Sequence, residues 1–189
     1  MRFDKISLKG LGPFHRESTL DLAAIPGTLV AIAGGNGQGK STLLECLAGA
    51  LYRETPTRGS LASLATARDA YVEVHAVNGH AWTIRQVVDA VSGKGEALVL
   101  DEAGAPALPS GKVREFDNWA KAHLPAPEVL YASTFAAQGS GGFLELGAGD
   151  RKAVLLRVLG VERLEKLAGA ARERARDAKA RLTTAAARL

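Results

Sequence analysis

The chain has 189 residues, 47% of them hydrophobic, 5% aromatic and 23% charged, a composition that excludes a wholly disordered chain and a collagen-like repeat. Its single cysteine, Cys46, excludes an intrachain disulfide framework and fits a reducing compartment. The net charge of +4 is unevenly spread, because residues 151–189 hold 11 of the 24 Lys and Arg side chains but only 4 of the 20 Asp and Glu.

In chain order, Phe3 to Leu8 alternates as a strand does, until Gly10, Gly12 and Pro13 break it. Ser18 to Leu22 reads as a second strand paired with the first. The apolar run Leu29 to Ala33 has the pattern of a strand buried on both faces. No apolar run follows the basic start, which leads us to expect no signal peptide and a cytoplasmic protein. The longest uncharged stretch, Leu22 to Gly39, holds Pro26 and five glycines and makes a poor membrane helix. From Lys40 to Tyr52 the period becomes helical, with Leu43, Leu44, Leu47 and Leu51 recurring, and the segment Thr55 to Ser60 ends it.

Residues 71–77 and 81–88 flank Asn78-Gly79, a strong hairpin signal, with a three-residue connection through His80 equally open. Leu98 to Leu100 adds a short strand, Val113 to His123 a helix stopped by Pro125 and Pro127, and Val129 to Ser133 a further strand. Beyond the loop Gly139 to Gly142, helical character returns over Asp150 to Leu159. The last segment carries a heptad stripe: Leu164, Ala168, Ala171, Ala175, Ala178, Leu182, Ala185 and Leu189. That stripe fits the root of a coiled coil, although alanine knobs bury little area. Its basic residues suit either a solvated helix face or contact with nucleic-acid phosphates, which would be independent of base sequence.

The chemistry concentrates between the apolar run and the first helix. Gly34-Gly35-Asn36-Gly37-Gln38-Gly39-Lys40-Ser41 satisfies the G-x-x-x-x-G-K-[ST] pattern in the strand-to-helix context it requires. Glycines let the backbone curl until its amides converge on phosphate oxygens, and the helix N-terminus adds partial positive charge. Lys40 can reach the β- and γ-phosphates, and the Ser41 hydroxyl can ligate magnesium. A complete hydrolase also needs an acidic metal partner and a group that orients water. Asp101-Glu102, after the apolar Ala97 to Leu100, fits that role or a strand running into a turn; local chemistry leaves both open. His15, His75, His80 and His123 are scattered and form no metal-ligand spacing.

Together these residues resemble the N-terminal portion of an SbcC-type ATPase, within the group of coiled-coil DNA-repair and chromosome-maintenance ATPases that includes the SMC proteins. The likeness runs through Leu11-Gly12-Pro13-Phe14 with Asp21-Leu22, then Gly37 to Glu45 and Ala50-Leu51-Tyr52-Arg53. It continues in Tyr71-Val72-Glu73-Val74 and Trp82-Thr83-Ile84-Arg85, and resumes at Phe135-Ala136-Ala137-Gln138-Gly139, similar to the family's Q-loop. Phe143-Leu144, Arg151-Lys152, Leu155-Leu156 and Leu159-Gly160 echo the helix leading into the coil.

The resemblance implies an α/β fold: the N-terminal lobe of an ABC-type ATPase head over residues 1–160, a P-loop core with antiparallel strands. Residues 161–189 would begin an antiparallel coiled coil. It implies ATP and Mg2+ as cofactors, with Gly34, Asn36, Gly37, Gln38, Gly39, Lys40, Ser41 and Thr42 around the nucleotide and Ser41 and Gln138 at the metal. In the family, a Ser-Gly-Gly signature segment, an Asp-Glu pair and a switch histidine follow the coil. On that order Asp101-Glu102 belongs to a strand and turn, and no catalytic residue is assigned. The chain then reads as a first lobe, an expressed fragment, inactive or very slow alone. Implied partners are the C-terminal lobe in cis or trans, a second ATPase head, an SbcD-like nuclease and duplex DNA, with no membrane. The main functional reading is the ATP-binding half of a DNA-processing ATPase that regulates a nuclease at DNA ends. The alternatives are a chromosome-organising or defence-associated SMC-like ATPase, and a structural coiled-coil module with a vestigial loop.

Overall fold

The computed structural model describes residues 1–27, 29–133, 142–159 and 161–186, which fall into two compact units, Met1–Ala126 and Pro127–Leu189. The first is built on a five-stranded sheet in the order β2-β1-β5-β6-β7, with every neighbouring pair antiparallel. Its strands are β1 (Arg2–Lys9), β2 (Ser18–Asp21), β5 (Ala70–Asn78), β6 (His80–Val88) and β7 (Gly95–Leu100). The alternation seen in the sequence separates the two faces. Ile6, Leu8, Val72, Val74, Ile84 and Val99 are all buried, each contributing about 1.5–3 kcal/mol of transfer free energy. The other face mixes polar side chains with a few apolar ones such as Leu98 and Leu100. Ser7 and Thr19 share a hydroxyl hydrogen bond of 2.9 Å, and Arg85 donates to Glu73 at 2.7 Å while lying 4.7 Å from the Tyr71 ring centre. The hairpin has the register of the three-residue form, Val77 opposite Ala81, and the pairing continues one step further, to Asn78 opposite His80 across Gly79.

Helix α1 (Lys40–Tyr52) packs on the buried face against β5 and β6. From Glu45 to Leu51 every residue is buried, a helix enclosed on nearly all sides rather than along one stripe. Its C-terminus is tied down from two directions. Gln86, a buried polar residue in β6, donates from Nε2 to the Ala50 carbonyl at 3.0 Å, satisfying an acceptor that the helix end leaves open. Arg53 adopts a left-handed φ of 63°, its amide bonded to Gly49 and its guanidinium to Asp117 at 3.3 Å. A short ribbon of β3 (Glu54–Thr55) and β4 (Gly59–Ser60) follows.

Helix α2 (Val113–His123) lies against β7 and α1, with Phe116 and Trp119 buried. Trp119 stacks on His123 at 5.0 Å and meets Trp82 edge-on at 5.1 Å. The outer edge of β7 is covered by the loop that follows it, through Ala97 to Gly111 and Ala107 to Val99 backbone bonds, so this edge offers little to a foreign strand.

Two expectations are corrected. Leu29 to Ala33 forms no strand buried on both faces: Leu29 is 89% exposed, Val30 and Ile32 38% each, and no backbone hydrogen bond ties residues 29–33 to another described residue. A buried strand needs paired neighbours on both sides, and among the described residues no strand pairs with this run. Val129 to Ser133 is helical rather than extended, within α3 (Pro127–Ser133). Proline at a helix's first position is favourable, and Glu128 in the first turn complements the helix dipole, outweighing the strand preference of Val129 and Tyr131.

The second unit is helical, continuing with α4 (Gly142–Glu145), α5 (Ala148–Val158) and α6 (Val161–Ala186). Helix α3 packs against α4 and α5, and α5 against α6. The heptad positions through Ala185 fall on α6, whose residues 171–179 are exposed.

Candidate functional site

The loop predicted to hold phosphates runs directly into α1. Gly39 occupies the N-cap position with φ 95° and ψ 10°, a left-handed conformation in which glycine alone is unstrained, and Gly37 has φ 79°. Glycine supplies no side-chain cap, so the first amides of α1 are left for an external acceptor. Gly39 is also required by packing. A Cβ there would lie 2.7 Å from Pro13 Cγ, 2.7 Å from Phe14 Cε2 and 2.9 Å from Phe14 Cζ. The turn after β1 therefore backs the loop with side chains, a role that its run of glycines hides in the sequence; the signal was the Pro-Phe pair.

Gly34, Asn36, Gly37, Gln38 and Gly39 lie in the loop, and Lys40, Ser41 and Thr42 open α1, with Ser41 exposed and Thr42 buried against Gly12. Gln138 lies outside the described residues. Lys40 Nζ donates to the carbonyls of Gly34 and Gly35, both at 2.7 Å, and Gln38 Oε1 accepts the Gly35 amide at 2.8 Å. Ser41 is exposed, and its hydroxyl makes no hydrogen bond among the described residues, leaving it available to a cation. Beside the loop an apolar groove of about 390 Å³ is lined by Leu8, Phe14, Leu20, Ile25, Val30, Ile32 and Leu43.

One turn along α1 lies a buried carboxylate that the sequence pattern does not announce. Glu45, on the helix face turned toward the β3–β4 ribbon, accepts from the Thr57 hydroxyl, and its second oxygen lies 3.5 Å from Arg58 Nε without a hydrogen bond. The next residue, Cys46, is enclosed. Burial, reinforced by the Glu45 carboxylate and partly offset by Arg58, pushes its thiol up to about 12.

Asp101 and Glu102 sit in the turn after β7. Asp101 Oδ1 accepts the amides of Ala103 and Ala105, each at 2.9 Å, and Glu102 Oε1 accepts that of Ala81 at 2.9 Å. They line a groove with Lys5, His75, Thr83 and Leu100, a row on the sheet face opposite α1. Their carboxylates organise a turn there. Among the described residues, no group of three or more His, Cys, Asp or Glu side chains is placed to hold a metal, and no helix is long and apolar enough to cross a membrane.

A glycine loop feeding an uncapped helix, with lysine and serine at its mouth, defines the P-loop class of nucleotide-binding domains. The family described as AAA domain matches residues 5–99, just over half of the chain, and the chain belongs to that family. Among curated proteins it is similar to the hemin import ATP-binding protein HmuV of Gloeobacter violaceus, 52% identical over 42 residues. That alignment spans 22% of this chain and only 14% of the relative's length. Among solved structures, the SMC head domain from Thermotoga maritima aligns over 84% of this chain and 72% of its own, with 18% identity and a TM-score of 0.37.

Proposed function

We propose that residues 34–42 bind the triphosphate of ATP with Mg2+, and that the chain is the nucleotide-binding lobe of an SMC-like ATPase head. The observation that carries this reading is the left-handed Gly39 cap, which leaves the α1 amides open beside Lys40 and Ser41. Amides of Gly37 to Thr42 would surround the phosphates and Lys40 would place a positive charge at their outer end. Bound magnesium, held by Ser41 and by Gln138, would neutralise charge on the phosphate oxygens. The loop holds and orients the triphosphate; it does not by itself break the terminal bond. Asp101 and Glu102 are engaged in their own turn, so the acidic and water-orienting groups would come from a second lobe and a second head.

Within this class, the chromosome-organising or defence-associated reading asks least of the chain: a nucleotide lobe and a basic helix that begins a coiled coil. The narrower SbcC-type role, control of an SbcD-like nuclease at DNA ends, rests on the sequence resemblance through the opening hairpin, Tyr52-Arg53 and Gln138. The test is an ATP titration of the chain and of Lys40→Ala. Hydrogen bonds from charged groups are worth about 1.5–3 kcal/mol, so the variant should bind at least about tenfold more weakly. Equal and negligible affinity in both would favour the structural module instead.

A further inference from the structure

The neck of the phosphate loop is held by side chains rather than by a sheet. Residues 29–33, leading into it, have no backbone hydrogen bond to another described residue. Instead the Gly35 peptide is gripped from both sides, its carbonyl by Lys40 Nζ and its amide by Gln38 Oε1. The fit is close: a Cβ on Gly34 would stand 2.6 Å from Gln38 Oε1, so glycine at 34 is what admits the glutamine side chain. The two grips respond differently to a ligand. An ammonium that turns its donors toward phosphate weakens its hold on the Gly34 and Gly35 carbonyls, whereas Gln38 spans the neck and has no reason to move.

We infer that the Gln38 side chain is a positioning residue for triphosphate binding: its carbonyl oxygen, by holding the Gly35 amide, keeps the loop in its binding shape when Lys40 is drawn to the ligand. This rests on the reading of residues 34–42 as a triphosphate site and assigns a role to the side chain of Gln38, beyond its backbone amide. The effect is one of pre-organisation, so its removal should weaken binding of any ligand that presents a polyphosphate, whatever the nucleoside.

The experiment compares the intact chain with Gln38→Met, similar in length but without the acceptor, Gln38→Glu, which keeps an acceptor, and Lys40→Ala. Titrations use ATP and inorganic tripolyphosphate, each with Mg2+, and hydrogen exchange of the Gly35 amide is followed without ligand. Removing this one hydrogen bond within the loop should weaken Gln38→Met about fivefold, by the same factor for both ligands, with the unfolding midpoint lowered by no more than the loss of that one bond accounts for. The Gly35 amide should exchange faster in Gln38→Met and remain protected in Gln38→Glu. Wild-type affinity in Gln38→Met, or a weakening confined to ATP, would overturn the inference; so would tighter binding, which would make the bond an obstacle. Tripolyphosphate binding unaffected by Lys40→Ala would instead defeat the assignment of the site itself.

Discussion

Gly39 is where backbone conformation and packing can be separated by experiment. In Gly39→Ala the new Cβ meets two obstacles, the left-handed φ of 95° and the Pro13 and Phe14 atoms 2.7 Å away. The first costs about 1–2 kcal/mol and overpacking typically about 1–3 more, giving roughly 2–5 kcal/mol in all. Gly37→Ala is the internal control. Its φ of 79° imposes the same kind of strain, but nothing lies within 4 Å of the added atom, so only about 1–2 kcal/mol is expected. Urea unfolding of both variants, compared at equal m-values, reads the difference. Adding Phe14→Ala should recover part of the stability that Gly39→Ala removes, with a coupling of about 1 kcal/mol in a double-mutant cycle. If the two glycine variants cost the same, or if Phe14 shows no coupling, the turn after β1 does not brace the loop and packing plays no part at Gly39.

Other outcomes follow from individual side chains. Only the unfolded chain can ionise Cys46 between its ordinary value near 9 and its raised value of about 12. Stability should therefore be unaffected by this group below pH 9 and fall by up to roughly 1.4 kcal/mol per pH unit above it; Cys46→Ala should remove that slope in denaturation curves taken from pH 8 to 11. Arg58→Ala leaves the enclosed Glu45 carboxylate with Thr57 alone, whereas Glu45→Gln keeps that bond and leaves a half-exposed arginine to water. The arginine variant should be the more destabilised by about 1–3 kcal/mol in thermal melts, and the reverse order would mean that Arg58 does not support the enclosed Glu45 side chain. If α6 meets duplex DNA through exposed Arg172, Arg174 and Arg176, replacing all three with alanine should flatten the salt dependence of binding by about 0.9 in log–log slope for each phosphate no longer neutralised. An unchanged slope would show that these three arginines neutralise no phosphates.

What could be read in the sequence was what short-range physics determines. The loop and α1 are specified within about twenty residues by glycine spacing, Lys40 and helical periodicity, and the Asn78-Gly79 hairpin by its turn and flanking alternation. The length of β7 and its covering loop were less legible, because Gly95 and Glu96 lack strand character and are recruited by pairing with Val88 and Val87. The helix from Pro127 carries its own start signal, which prevails over the strand preference of Val129 and Tyr131. The Glu45–Thr57–Arg58 cluster joins residues 12 and 13 apart through a ribbon only two residues wide on each side, and nothing in local pattern announces it.

The run Leu29 to Ala33 differs in kind, because its composition reports an environment rather than a conformation. A helix satisfies its hydrogen bonds internally, but a strand does so only beside another strand, so an apolar strand pattern specifies a partner as well as itself. Here Leu29 stands 89% exposed, and Val30 and Ile32 border an apolar groove of about 390 Å³. Fully burying side chains of this kind is worth about 1.5–3 kcal/mol each, a sizeable driving force for association. In the two-lobed head proposed for this chain, a second lobe laying strands along residues 29–33 would bury these side chains and at the same time fix the segment that leads into Gly34. Nucleotide affinity and lobe association would then be coupled through one stretch of backbone, and by linkage each would strengthen the other by the same factor. ATP should raise the affinity of the chain for such a lobe in wild type, and Leu29→Ser with Ile32→Ser should reduce lobe binding while leaving the loop's own bonds through Lys40 and Gln38 intact. Pull-down of the separately expressed lobe with and without ATP reads both effects, and lobe binding indifferent to nucleotide and to the two serines would show that the run is covered by something else.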